Sequence, residues 1–207
     1  ATRKRWKTKM LDSMPEDKDL KEAVLFEEDL YTGKFLHLMR RTVQLPDGRT
    51  TTREMLAHPG AAAMVVIDEE NRVVFERQWR APMDAAFWEI PAGKIDPGED
   101  SFETARRELH EETGMSADEW VELGTIHNAI GYSNEHIDIF LARRITEGGA
   151  RELDEHEFID VHKFSFDEAL AMTRDGRITD VKTIIGLNWA QQYLEGKLPQ
   201  AKKREVH

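Results

Sequence analysis

The run "RELHEETG", Arg107 to Gly114, sets Glu108, Glu111 and Glu112 on what reads as the last turn and a half of a helix. Carboxylates three and four residues apart share a helical face, and the carbonyls that end a helix repel them further. Arg106 and Arg107 are the adjacent cations. On spacing alone they are too few and too close in sequence to neutralise all three acids. A divalent cation answers the charge problem directly, because magnesium takes oxygen ligands, keeps several waters and shares its remaining positions with substrate phosphates. An exposed acidic helix end is the structural alternative, and the cluster by itself does not choose between them.

The elements that must hold these side chains are legible from punctuation. Asp100 reads as an N-cap with Glu103 three residues on, and Gly114 stands where a left-handed residue ends the helix. Phe102, Ala105 and Leu109 form an apolar stripe that leaves the glutamate face free. Upstream, "AAAMVVI", "RVVFERQW" and "FWEIPAG" read as strands, and downstream two more follow around "EWVELGTIHNAI" and "EHIDIFLARRI". After a short strand near "FIDVHKF", a capping box at Ser165 and Glu168 opens one helix, and a second buries Val181, Ile185, Trp189 and Tyr193. Before His58, strand-like pieces separated by turns at Tyr31-Thr32-Gly33-Lys34 and Leu45-Pro46-Asp47-Gly48 predict a small antiparallel lobe. The expected organisation is a basic tail over 1–19, a β lobe over 20–57, a larger α/β domain over 58–197 and a C-terminal tail over 198–207.

Composition narrows the setting. The chain has 207 residues, 40% of them hydrophobic and 33% charged, which describes a folded globular protein rather than a disordered one. It holds no cysteine, so disulfides, thiolate metal sites and a cysteine nucleophile are excluded. Neither a membrane span nor a secretory leader is expected, which points to the cytoplasm. A net charge of −11 argues against a nucleic-acid partner, although Arg3, Lys4, Arg5, Lys7 and Lys9 make the first residues basic.

The register of the whole segment carries a resemblance. Gly93, Glu99, Arg107, Glu108, Leu109, Glu111, Glu112, Gly114 and Met115 match G-x5-E-x7-R-E-U-x-E-E-x-G-U, with U a bulky aliphatic residue, at every fixed position. This is similar to the Nudix box of the Nudix hydrolases. The resemblance implies an α/β/α sandwich with a mixed central sheet, and hydrolysis of a nucleoside diphosphate linked to another moiety with Mg2+ or Mn2+. It also implies metal ligation by Glu108, Glu111 and Glu112, with the carbonyl of Ala92 as a further ligand. Arg107 then orients the acids, and Glu99 supports the loop.

The flanks "REMLAHPGAAAMVV", "ERQWRAPM" and "EIPAGKIDPGE" resemble the ADP-ribose pyrophosphatase branch, whose members act on nucleoside diphosphate sugars as homodimers joined through an N-terminal strand lobe. The implied substrate contacts are Arg53, Arg80, Gly131 and Glu135. The implied general base lies in "ELDEHEF", as Glu155 with Glu157 beside it. One departure stands out: that branch carries a proline where this chain has Ile130. The flanks make ADP-ribose, giving AMP and ribose 5-phosphate, the leading substrate, and the departure at Ile130 counts against it relative to other nucleotide sugars. GDP-mannose, ADP-glucose and dinucleoside polyphosphates are enzymatic alternatives, and a non-catalytic nucleotide-sugar-binding module is the alternative of another class.

Overall fold

The computed structural model describes residues 20–153, 155 and 158–206. The basic residues Arg3 to Lys9 lie outside these. The chain divides into two units, Ala1–Ala57 and His58–His207.

The first unit is an antiparallel sheet of β1 (Ala23–Thr32), β2 (His37–Gln44) and β3 (Thr50–Ala57), in that order. The second hairpin closes at Leu45-Pro46-Asp47-Gly48, with Gly48 N donating to Leu45 O at 2.9 Å; the first closes two residues beyond the turn read from the sequence, with Gly33 N donating to Leu36 O at 2.8 Å, because Tyr31 and Thr32 end β1. The register sets Arg40 opposite both Glu28 and Glu54, and its guanidinium reaches them at 3.3 and 2.9 Å. Such cross-strand pairs each add roughly 0.2–1 kcal/mol and favour this register over a slipped one.

The second unit contains β4 (Ala61–Ile67), β5 (Arg72–Arg80), β6 (Ala85–Glu89), β7 (Ala92–Lys94), α1 (Ser101–Thr113), β8 (Ser116–Ile126), β9 (Ile137–Thr146), β10 (Ile159–Ser165), α2 (Phe166–Asp175), α3 (Val181–Leu194) and β11 (Lys202–Arg204). The sheet order is β10-β5-β4-β9-β8-β11, with β6 on β5 and β7 on β4. Only β4 and β9 run parallel among these pairs, so the sheet is mixed. Every residue of β4 is buried, which explains why it reads as an unbroken apolar run rather than an alternating one. Ala62, Met64 and Val66 pack with Phe102, Ala105 and Leu109 of α1; Ala63, Val65 and Ile67 join Phe166 and Leu170 of α2 and Leu187 and Ala190 of α3. This is the expected α/β/α sandwich with a mixed central sheet, and the expected antiparallel lobe is present beside it in the chain.

A fork in the sheet prepares the site. β4 and β5 pair at Ile67 and Val73 and then separate, and the segment "FWEIPAG" bridges them: β6 pairs with the far half of β5 and β7 with the first residues of β4. At the crossing, Pro91 O accepts from Met64 N at 2.9 Å, and Ile90 N donates to Thr183 Oγ1 at 2.9 Å. The piece read as one strand is thus two, because its backbone changes partner at Ile90 and Pro91.

Two further readings change. In α3 the fully buried positions are Lys182, Thr183, Gly186, Leu187 and Ala190, whereas Val181 is 42% exposed and Ile185, Trp189 and Tyr193 are half-buried. Small residues set this register: Gly186 and Ala190 let the helix approach the sheet, and a Cβ at Gly186 would lie 3.0 Å from Val65 and 3.1 Å from Ile90. The bulky residues then flank the contact instead of forming its centre. The segment read as a tail from 198 carries β11, which pairs with β8 through Lys202, Lys203 and Arg204. Arg204 and Lys202 both approach the Glu122 carboxylate, at 3.2 and 3.6 Å. A Lys/Arg-rich run without apolar alternation gives no strand signal, and charge pairing across the sheet edge provides what the pattern lacks. Among the described residues no helix is long and apolar enough to cross a membrane.

Candidate active site

Helix α1 is fixed at both ends. The Asp100 side chain accepts from Phe102 N at 2.8 Å and Glu103 N at 2.9 Å, satisfying two of the donors that open a helix. Gly114 ends it at φ 70°, with its N–H on His110 O at 2.8 Å. A Cβ at Gly114 would also collide with the Gly149 carbonyl, so the position needs glycine on both counts. Arg151 covers the same end: its Nε donates to Glu112 O at 2.7 Å and its Nη2 to Ile159 O at 2.7 Å. The cation thus neutralises an orphan carbonyl of α1 and joins it to the start of β10.

The acidic face is organised around Arg107. Its Nε and Nη2 grip the two Glu99 oxygens at 2.9 and 3.0 Å, while Nη1 bonds Glu108 at 2.8 Å and Glu111 at 2.9 Å. Arg107 thus serves two of the three acids, Glu108 and Glu111, although it lies next to them in sequence. A long side chain folded along the helix reaches residues one and four positions on, and its planar fork still has donors for Glu99. That fork is the main cause holding the Glu99 carboxyl down to about 2, and the same bonds push the Arg107 guanidinium up.

Glu108 and Glu112 approach β7. The Glu112 side chain is buried, and its Oε2 accepts from Ala92 N at 3.2 Å. The Glu108 carboxylate occupies the space that a side chain on Gly93 would fill, so glycine there makes room for an acid. These carboxylates and the neighbouring backbone offer oxygen, the donor type that a hard divalent cation takes. Among the described residues no three acidic or histidine side chains converge on one point, since Glu108 and Glu111 both turn to the Arg107 nitrogen.

On the other branch of the fork, Arg80 ends β5 and holds Glu89 in a two-point grip at 2.6 and 2.8 Å. Burial alone would raise the Glu89 carboxyl, but the Arg80 bonds and the charge of Lys182 outweigh it and hold the group at about 2. Arg80 is raised mainly by its bond to Glu89, and its charge also senses Asp180 and Glu112. Sequence reasoning passed over Glu89 and Lys182. The available signal was an acid closing an otherwise apolar strand, and a lysine directly behind the N-cap Asp180.

Gly131 lies in an exposed turn whose Tyr132 and Ser133 N–H groups both reach Ala129 O, at 3.0 and 2.8 Å. Glu135, further along, accepts from Asn128 Nδ2 at 2.9 Å and faces His58 Nε2 at 3.7 Å. Asn134 bonds both backbone groups of His58, at 2.8 and 3.3 Å, which ties this loop to the residue that enters β4. Burial lowers the His58 pKa against the pull of Glu135. His58 and Asn134 were not singled out from the sequence, and a single histidine before a strand gives no such signal. Arg53 belongs to the other unit, on β3, with Nη2 on Glu22 at 2.6 Å. Glu155 is an exposed turn residue, and Glu157 lies outside the described residues.

Comparison with known proteins agrees with this geometry. A family model described as NUDIX domain matches residues 57–184, the span that holds the fork and α1. The chain is 37% identical over 171 residues to a methanol dehydrogenase activator of Bacillus methanolicus, covering 82% of this chain and 92% of that protein. It is 34% identical over 175 residues to an ADP-ribose pyrophosphatase of Bacillus subtilis (strain 168), covering 84% and 95% respectively. The crystal structure of an ADP compounds hydrolase superposes with a TM-score of 0.75 over 86% of this chain and 96% of that one, at 19% identity, a likeness of fold. With the matched span, the acidic helix and the sandwich all in agreement, this chain belongs to the NUDIX family.

Proposed function

We propose that this protein hydrolyses the diphosphate linkage of a nucleoside diphosphate sugar, ADP-ribose foremost, to AMP and ribose 5-phosphate. The observation that carries the reading is the row Glu108, Glu111 and Glu112 on one face of α1, with Arg107 holding the first two, Glu112 bonded to Ala92 N and Glu108 lying against the side-chain-free Gly93. A single basic side chain organises a surplus of carboxylates, which is an arrangement suited to a dication and a phosphate ligand.

Glu108, Glu111, Glu112 and the Ala92 carbonyl are the residues to hold Mg2+, or Mn2+ in its place. When bound, such an ion lowers the pKa of a coordinated water and stabilises charge on phosphate oxygens. The chain's own residues supply the rest. Glu155, with Glu157 as auxiliary, accepts the proton of the attacking water, and its exposed turn leaves it accessible to solvent. Arg80 meets the anionic diphosphate, and Gly131 and Glu135 line the loop that receives the rest of the substrate. The likeness to the ADP-ribose pyrophosphatase of Bacillus subtilis supports ADP-ribose as the first substrate to try.

The homodimer is part of the same reading. In β1 the side chains of Val24, Leu25, Phe26 and Tyr31 are all more than half exposed or nearly so, an apolar run on an edge strand that association with a second copy would cover. Sedimentation of the purified protein tests it, with a two-chain mass expected.

The deciding experiment for the activity is a panel of ADP-ribose, ADP-glucose, GDP-mannose and a dinucleoside polyphosphate, with and without Mg2+, products identified by mass. Release of a nucleoside monophosphate only with metal is the expected result, and ADP-ribose is expected to turn over fastest. No product from any member would overturn the reading and return the chain to the class of binding modules.

A further inference from the structure

The Arg80–Glu89 pair does not stand alone. Lys182 Nζ bonds Glu89 Oε2 and also meets Asp180 Oδ2 at 3.1 Å. Asp180 Oδ2 in turn accepts from Thr183 N at 3.0 Å and Thr183 Oγ1 at 2.6 Å, as N-cap of α3. Thr183 Oγ1 receives the Ile90 N–H at 2.9 Å. One network therefore runs from the start of α3, through the crossing of the sheet fork, to the guanidinium at the end of β5.

Its charges are graded by depth. Side-chain exposure is 6% at Glu89, 10% at Lys182 and 18% at Asp180, but 44% at Arg80. A guanidinium gripped by a lone buried carboxylate forms a neutral pair with little field to offer an anion. Here the carboxylate is shared with a second, buried cation, while the charge of Asp180 faces the positive end of α3. The outward member, Arg80, is the one that faces solvent, while Lys182 takes part of the Glu89 charge from the buried side. Two of its five N–H donors are used on Glu89.

We propose that Lys182 is a positioning residue: by sharing Glu89 it reserves the charge and the free donors of Arg80 for the diphosphate of the ligand. The assignment rests on the reading of Arg80 as a phosphate contact given above. Lys182 itself, buried and committed to two carboxylates, does not touch the ligand.

A double-mutant cycle tests this, using the dissociation constant of ADP-ribose measured by calorimetry in EDTA, so that no turnover is involved, together with KM in Mg2+. Arg80→Met is expected to weaken binding about tenfold. Lys182→Gln, which keeps a donor between Glu89 and Asp180 but removes the charge, is expected to weaken it to a similar degree with kcat nearly unchanged. Lys182→Arg should restore it. In the Arg80→Met background, Lys182→Gln should add nothing, because its effect passes through Arg80.

If Lys182→Gln weakens binding as much in the Arg80→Met background as in the wild type, or leaves binding unchanged while Arg80→Met impairs it, the role of Lys182 is overturned and that of Arg80 stands. If Arg80→Met binds like the wild type, the phosphate contact falls and the proposal with it. Asp180→Asn covers the case of a poorly folding lysine variant, since the amide retains the N-cap and removes a charge that Arg80 senses. Tighter binding by about threefold is expected; unchanged or weaker binding overturns the proposal.

Discussion

Arg107 and Glu99 meet in a two-point grip at 2.9 and 3.0 Å across the turn that opens α1, and the same guanidinium carries Glu108 and Glu111 on its third nitrogen. The loop before the helix and the acids near its end are thereby one electrostatic unit. Because the Glu99 carboxyl is held at about 2 in the folded protein and lies near 4.5 when free, its contribution to stability is complete above about 4.5. It is lost as pH falls from there through about 2. Unfolding free energy measured against pH should therefore drop less steeply over that window in Glu99→Gln than in the parent. Equal slopes would show that Arg107 does not hold Glu99 ionised.

Gly93 has no side chain where the Glu108 carboxylate sits. Gly93→Ala should displace that carboxylate while leaving the fold in place, since this glycine is not among those with positive φ. We expect Mg2+-dependent turnover to fall about 10- to 100-fold, with Tm within about 3 °C of the parent. A variant of normal activity would mean that Glu108 works equally well from another position.

Glu112 and Glu155 are predicted to fail in different ways. Glu112→Gln keeps the shape of a buried side chain and should weaken Mg2+ binding, as well as lowering kcat by at least about a hundredfold. Glu155→Gln should lower kcat by about 10²–10⁴ with Mg2+ affinity unchanged. Metal titration alongside single-turnover kinetics separates the two, and a normal rate in either variant removes that residue from the reaction.

Helix α3 lies close to the sheet because Gly186 faces Val65 and Ile90. Gly186→Leu overfills that contact and should cost about 1–3 kcal/mol, lowering Tm by about 3–10 °C. An unchanged melting curve would show that the helix can lift from the sheet at no cost.

What the sequence revealed and what it hid follow from distance along the chain. The ends of α1 were readable because Asp100 and Gly114 act on their own neighbours, and so was the second hairpin turn of the first sheet, Leu45-Pro46-Asp47-Gly48. The acids of α1 share one short motif with Arg107, which bonds two of them, Glu108 and Glu111. Pairing between remote positions leaves no local pattern: Lys182 meets Glu89 from 93 residues away, and Asn134 meets His58 from 76. The face of α3 was misread for a related reason. Hydrophobic periodicity marks bulk, whereas the contact is governed by what is missing at Gly186.

The short strand β11 has a consequence for the border of the larger sheet. By lying along residues 120–122 of β8, it occupies amide and carbonyl groups that would otherwise face water in a row. A shortened version ending at Pro199 would uncover that row beside the core residue Trp120, and the bared margin would then offer extended segments of other molecules a strand to pair with.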